Sequence, residues 1–230
     1  MPFLMTKEIN RAYYQDEFEL FIVYGPLGIG KSVFSIKVAN EVYGGGFDKV
    51  KDYLVFHPRD FVSKCLGMSQ EGKREKVLIW DDAGLWLFYM DFTNPFIQAV
   101  LKYMNVARTN WAAIILTTPT PSWIQFKMRS FPQCKTIKII KEGSDQQHKG
   151  KPRLAKVYRS WVAPDFKHTG VRLLWMEKFK AMLPNNFYFD WYKPLRDRYA
   201  LLATQLMQKE LQKVKKFKSV ESELTAPSQY

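Results

Sequence analysis

Residues Leu20–Tyr43 read LFIVY-GPLGIGKS-VFSIKVANEVY, and this stretch decides the fold. The run Leu20–Tyr24 is apolar without alternation, which is the pattern of a strand buried on both faces. From Lys31 to Tyr43, Val33, Phe34, Ile36, Val38, Ala39 and Val42 fall at helical spacing, and Gly44-Gly45-Gly46 stops the helix. The connection, Gly25–Ser32, fits G-x-x-x-x-G-K-[ST] in the strand-then-helix context that motif requires. With glycine at about 7% of residues, a chance match in a chain this long arises about once per hundred sequences.

That residue pattern answers the needs of a polyphosphate. Glycines let backbone N–H groups curl around phosphate oxygens with no Cβ in the way. The helix behind them directs its positive end at the same anion. Lys31 supplies a mobile charge for the β- and γ-phosphates, and the Ser32 hydroxyl serves as a Mg²⁺ ligand. The nucleotide-contacting set is therefore Gly25, Pro26, Leu27, Gly28, Ile29, Gly30, Lys31, Ser32 and Val33, with ATP and Mg²⁺ as the expected ligands. Another nucleoside triphosphate stays open.

Outward from this loop, a strand near Tyr53–Phe56 and a helix from Pro58 to Met68 lead to a second apolar run, Val77–Trp80, which ends in Asp81-Asp82. This is where a Walker B carboxylate belongs: Asp81 is read as the Mg²⁺-facing acid, acting through water, and Asp82 as the group that polarises the attacking water. Many ATPases place a glutamate there, and the shorter aspartate fits slow turnover. Asn94–Arg108 reads as a helix, Ala112–Leu116 as a third strand closed by Thr117-Thr118-Pro119, Ser122–Met128 as a short helix and Thr136–Ile140 as a further strand. Thr117 and Thr118 are candidate γ-phosphate sensors, or simply turn formers. An arginine finger is supplied in cis or by a neighbouring subunit. Arg129, placed where subunit-bridging fingers are commonly found, is the candidate and Arg108 the second choice; a surface ion pair is the alternative for either.

Alternating strands and helices call for an α/β fold. The class read is a P-loop NTPase of the additional-strand (ASCE/AAA+-like) type: a central, mainly parallel sheet flanked by helices, with a β-rich extension and a C-terminal helix. Residues 1–17 read as a polar and aromatic lead. The core occupies residues 1–141. A β-rich extension follows over 142–190, carrying strand-like Leu154–Val162 and Val171–Met176. A basic helix covers 191–218, with Lys213, Lys215, Lys216 and Lys218, and 219–230 is a frayed tail.

Composition narrows the function classes. Of 230 residues, 47% are hydrophobic and 25% charged, so the chain is globular rather than disordered or collagenous. Thirty-five Lys and Arg against twenty-two Asp and Glu leave a net charge of +13, which favours a polyanionic partner, nucleic acid first and an acidic membrane second. The lysine-rich helix is a phosphate-contacting arm, an oligomerisation helix or a solvated face. Aromatics among cations in KVYRSW and FYFDWYKPLRDRY are a base-stacking surface or packing. Cys65 and Cys134 exclude a disulfide scaffold and a cysteine zinc site. His57, His148 and His168 show no metal-binding spacing. No run approaches the roughly 18 apolar residues of a spanning helix, and the N-terminus lacks a signal-peptide core, so a cytoplasmic protein is expected. A small-molecule kinase would need lid arginines, whereas Arg153, Arg159 and Arg172 fall on predicted strands.

FIVYGPLGIGKS, KVANEVY, VLIWDDAGLWL and IILTTPTPSWI together resemble the small P-loop ATPases, DnaA-like or AAA+-like, of spindle-shaped archaeal viruses and related plasmids. The likeness covers residues 18–130 and includes the unusual Asp-Asp-Ala-Gly. It implies an ATPase of a mobile genetic element that acts on DNA, as a replication initiator or helicase loader, in the host cytoplasm if viral. DNA, an ATP-dependent homo-oligomer and other replication or packaging proteins are the partners so implied. A DNA-translocating or packaging motor and a Zot-like morphogenesis ATPase are the alternatives. An AAA+ protein carries a helical lid, and here the residues after 141 read as strands.

Overall fold

A computed structural model describes residues 2–142, 152–162 and 169–224, without the side chains of residues 162, 169 and 214–224. The strands are β1 (Glu19–Tyr24), β2 (Leu54–Val55), β3 (Glu75–Trp80), β4 (Trp111–Thr118), β5 (Cys134–Lys141), β6 (Pro152–Val162) and β7 (Thr169–Lys180). The helices are α1 (Leu4–Tyr14), α2 (Lys31–Tyr43), α3 (Phe47–Val50), α4 (Pro58–Gln70), α5 (Pro95–Met104), α6 (Phe126–Arg129) and α7 (Lys193–Leu224).

All seven strands make one mixed sheet in the order β2-β3-β4-β1-β5-β6-β7. Pairing is parallel from β2 through β5 and antiparallel for β5–β6 and β6–β7. β4, the third apolar run of the sequence, therefore lies between β1 and β3. Burial on both faces explains the unbroken apolar runs: Leu20, Phe21, Ile22 and Val23 of β1 are fully buried, and so is every residue of β4. Every parallel strand ends toward the same edge, so the connections after β1, β3 and β4 meet there.

The residues before β1 form α1 rather than an irregular lead. Its inward stripe, Met5, Ile9 and Ala12, steps by four and three. Both helix ends are tied to distant chain. Glu177 of β7 accepts the Met5 amide at 2.9 Å and the Trp175 indole N–H at 2.5 Å, and Glu41 accepts the Phe3 amide. At the other end, Arg74 donates to the carbonyls of Ala12, Tyr13 and Glu17.

Other boundaries also differ from the sequence reading. The helix expected over Asn94–Arg108 stops at Met104, and Ala107–Thr109 is a separate 3₁₀ turn. Ser122–Met128 divides into a 3₁₀ turn, Pro121–Trp123, and α6, because Ile124 between them bridges to Phe88. Residues 219–224, expected as tail, continue α7, in keeping with the strong helix formers of VESEL. Residues 225–230, His148 and His168 lie outside the described residues.

Met1–Pro184 and Asn185–Tyr230 are two compact units. In the second, a π-helical turn, Phe187–Tyr192, opens into α7, with the Phe187 and Trp191 rings 5.2 Å apart. Of the expected lysine cluster, Lys213 pairs with Glu210 at 2.6 Å; the side chains of Lys215, Lys216 and Lys218 are outside the described set.

Glu177 yields a pH-dependent expectation. Burial raises its carboxyl above the ordinary 4.5, although the Trp175 indole and the α1 amides favour the charged form. A raised folded-state value costs stability as pH climbs from the unfolded value through the folded one, and the cost persists above it. Glu177→Gln keeps an acceptor and removes the charge. It should melt higher than the parent at pH 8, with the gap closing toward pH 4; a gap that does not change with pH would contradict this origin.

Candidate functional site

The loop Gly25–Ser32 leaves the end of β1 and enters α2, whose observed bounds, Lys31–Tyr43, match the sequence expectation. Gly30 is the helix N-cap, at φ 104°, and having no side chain it caps none of the first-turn amides. A side chain at Gly30 is doubly excluded: the backbone is left-handed, and an added Cβ would sit 2.9 Å from Ala181 Cβ. Gly28, also left-handed, opens on free space. The loop is thus packed behind and clear in front.

Lys31 is almost wholly buried, and its ammonium donates to the carbonyls of Gly25 at 2.9 Å and Pro26 at 3.1 Å. It lies folded along the loop, with its charge on the loop's own oxygens.

Asp81, the residue after β3, is fully buried. Its Oδ1 accepts the Ser32 hydroxyl at 2.8 Å and the Thr117 hydroxyl at 2.6 Å, and its amide donates to the Val55 carbonyl. Residues 49 positions apart, Ser32 and Asp81, therefore meet at the mouth of the loop. The Thr117 oxygen also accepts the Asp82 amide at 2.8 Å. That bond holds Asp82, half-buried, in a left-handed turn at φ 51° that redirects the chain after β3. The rest of Asp-Asp-Ala-Gly is packing: Ala83 is buried, and a Cβ on Gly84 would lie 2.4 Å from the Thr118 hydroxyl.

The structure thus gathers Lys31, Ser32, Asp81, Asp82 and Thr117, but it uses the threonines differently from the sensor reading. The Thr117 hydroxyl serves Asp81 and the Asp82 amide, while the Thr118 hydroxyl turns to the Thr120 carbonyl at 3.0 Å. Both candidate finger arginines lie at the other edge of the sheet. Arg129 donates to the Ile124 carbonyl and lies close enough to Cys134 to bias its titration; Cys134 pairs with Leu20 at the start of β1, roughly 13 Å of strand before the loop. Arg108, ahead of β4, pairs with Asp16 at 3.3 Å. Neither faces the glycine loop of its own chain.

Cys134, Cys65 and His57 have packing and capping surroundings. Burial pushes the Cys134 thiol up to about 12 and raises Cys65 as well, so neither is a thiolate. His57 caps α4 through the Arg59 amide. No cluster of three metal-ligating side chains occurs among the described residues.

One buried residue beside the loop was not read from sequence as part of the site. Arg153, 6% exposed on β6, donates from Nε to the Ile29 carbonyl at 3.2 Å. Its signal was present, because the alternation that turns Ala155 and Val157 inward turns Arg153 inward too.

Among known proteins, the chain is 34% identical over 163 residues to an uncharacterized protein of Sulfolobus spindle-shape virus 1, spanning 67% of this chain and 63% of that protein. It is 35% identical over 163 residues to an uncharacterized protein of Acidianus two-tailed virus, spanning 69% of this chain and 54% of the relative. Its homologues are thus proteins of archaeal viruses, and the chain spans less than two thirds of their length. No protein-family profile matches it. The N-terminal domain of zonular occludens toxin from Neisseria meningitidis aligns over 74% of this chain and 97% of its own, at 14% identity and a TM-score of 0.39, which is too loose to assign a fold or an activity. No helix among the described residues is long and apolar enough to cross a membrane.

The double use of Thr117 is testable. Thr117→Val removes one of the two hydroxyls on Asp81 Oδ1 and takes the acceptor from the Asp82 amide, a loss of about 1–3 kcal/mol, and should lower the melting temperature by about 3–10 °C. Thr117→Ser keeps the hydroxyl and should recover most of it. A valine variant that melts with the parent would show that the bridge carries no weight.

Proposed function

We propose that the chain is a P-loop ATPase of the additional-strand class that serves a virus or plasmid by acting on its DNA during replication. The observation that carries the reading is the Ser32–Asp81 hydrogen bond at the open side of an uncapped, glycine-lined helix N-terminus. A hydroxyl and a carboxylate joined this way form an oxygen donor set of the kind a hard divalent cation takes. The site therefore fits Mg²⁺ with a triphosphate.

In this reading the loop amides and the α2 N-terminus hold the β-phosphate. Lys31 exchanges the Gly25 and Pro26 carbonyls for phosphate oxygens, and Ser32 with Asp81 holds Mg²⁺. Mg²⁺, when bound, neutralises charge on the transferring phosphoryl group. Thr117 keeps Asp81 in place when Ser32 turns away from it. Asp82 orients the attacking water and accepts its proton, and its short side chain suits slow turnover. The position of β4 between β1 and β3 agrees with the additional-strand class. The chain after β5 continues as an antiparallel hairpin where an AAA+ protein would carry a helical lid.

The DNA assignment draws on the net charge of +13 and on the viral relatives. Binding of this kind is insensitive to sequence and falls steeply with salt.

The parent should hydrolyse ATP slowly and faster with DNA. Lys31→Ala and Asp81→Asn should each weaken MgATP binding by about 10–100-fold. Parent-like affinity in both variants, with magnesium present, would overturn the site. Unchanged turnover with DNA, together with no DNA retention at low salt, would remove the DNA role alone.

A further inference from the structure

Behind the glycine loop stand the ends of three strands, and two of them belong to the antiparallel hairpin that follows the parallel sheet. Gly25 backs onto the Ile139 carbonyl of β5: a Cβ there would come within 2.8 Å of it. Gly30 backs onto Phe179 of β7 and the adjoining Ala181. Between these contacts, Arg153 of β6 reaches Ile29. In the sheet, Arg153 pairs with Lys141 on one side and Phe179 on the other, so its backbone is fixed by ladders to both neighbours. Its side chain is nearly as buried as a core leucine. Besides the Ile29 carbonyl, the guanidinium donates to its neighbour's carbonyl, at Pro152.

A guanidinium is planar and forked, so two bonds to fixed oxygens define its orientation. The peptide it touches is equally rigid. In a planar trans peptide the carbonyl and the following N–H point in opposite directions, so fixing the Ile29 oxygen fixes the direction of the Gly30 N–H. Gly30 needs such a restraint more than most residues, because glycine at φ 104° has little intrinsic preference to hold its peptide in one orientation. From these contacts the structure assigns Arg153 as a positioning residue. Through Ile29 it aims the Gly30 amide toward the face where a phosphate is bound, and so joins the β6–β7 hairpin to nucleotide affinity. This assignment rests on the P-loop reading above. It goes beyond it in giving the antiparallel extension a task at the site and in choosing the phosphate concerned. The amide lies in the part of the loop that cradles the β-phosphate, so Arg153 should matter equally for ADP and ATP, unlike Lys31, whose charge also reaches the γ-phosphate.

Binding of AMP, ADP, ATP and inorganic tripolyphosphate, measured by calorimetry, tests this in the parent, Arg153→Met and Arg153→Lys. Arg153→Met should bind ADP, ATP and tripolyphosphate about tenfold more weakly, by a common factor, with AMP affinity unchanged. Arg153→Lys, which can still donate to the Ile29 carbonyl, should recover most of the loss. Parent-like ADP affinity in Arg153→Met would overturn the assignment, as would an equal loss for AMP, which would mark general distortion. A parent that binds neither ADP nor ATP would instead bring down the nucleotide reading itself. A measurement on the unsubstituted chain guards against a misfolded variant: the Arg153 Nε–H resonance should shift when tripolyphosphate is added, and a resonance that stays in place would refute the linkage.

Discussion

A fully buried carboxylate needs hydrogen-bond partners, and Asp81 Oδ1 takes hydroxyls from two elements remote in sequence. Ser32 arrives from the first turn of α2, Thr117 from the end of β4, and the Asp81 amide reaches Val55 on β2. One acid therefore aligns the loop edge of the sheet. The two hydroxyls are not equivalent. The Thr117 oxygen is also used by the Asp82 amide, whereas the Ser32 hydroxyl bonds Asp81 at the mouth of the loop. The arrangement has a fixed half and an exchangeable half, and the exchangeable half adjoins the open side of the loop.

The same division runs through the glycine loop. Its rear is set by contacts too close for side chains, against Ile139 and Ala181, while Gly28 at its front meets nothing. A rigid back allows the front amides to be organised before any anion arrives, which reduces the ordering cost of binding. That rear wall comes partly from an antiparallel hairpin, an element the motif itself does not mention.

Much of this was legible in the residues. Continuous apolar runs gave β1, β3 and β4, because strands buried on both faces leave no alternation to confuse with a surface strand. Gly30 and Gly44 bounded α2 to the residue. Ser32 and Asp81 were each read as facing the same cation, and parallel strands that end on one side bring the loop and the β3 end together. What was missed depended on long-range packing. The stripe of α1 is short, and its caps, Glu177 and Arg74, are supplied from far along the chain. Arg129 and Arg108 were chosen by order along the chain, and strand polarity places both away from the glycine loop of their own chain, which leaves a neighbouring subunit's loop as the one either could serve. Arg153 looked like one more cation of a basic strand, and only its phase in the alternation marked it as inward.

The Met5–Glu177 bond spans 172 residues. Chain growth proceeds from the amino end, so the first helix emerges long before its acidic anchor. At about 5–20 residues per second the ribosome takes roughly 10–35 s to cover that span. During this interval the stripe of Met5, Ile9 and Ala12 lacks its tether, and the central strand β1 waits for β4 and β5 on either side. Such non-local closure makes assembly slow and leaves apolar surface uncovered in the nascent chain. The last strand of the sheet thus completes the first helix, so closure of this unit is a late, concerted event.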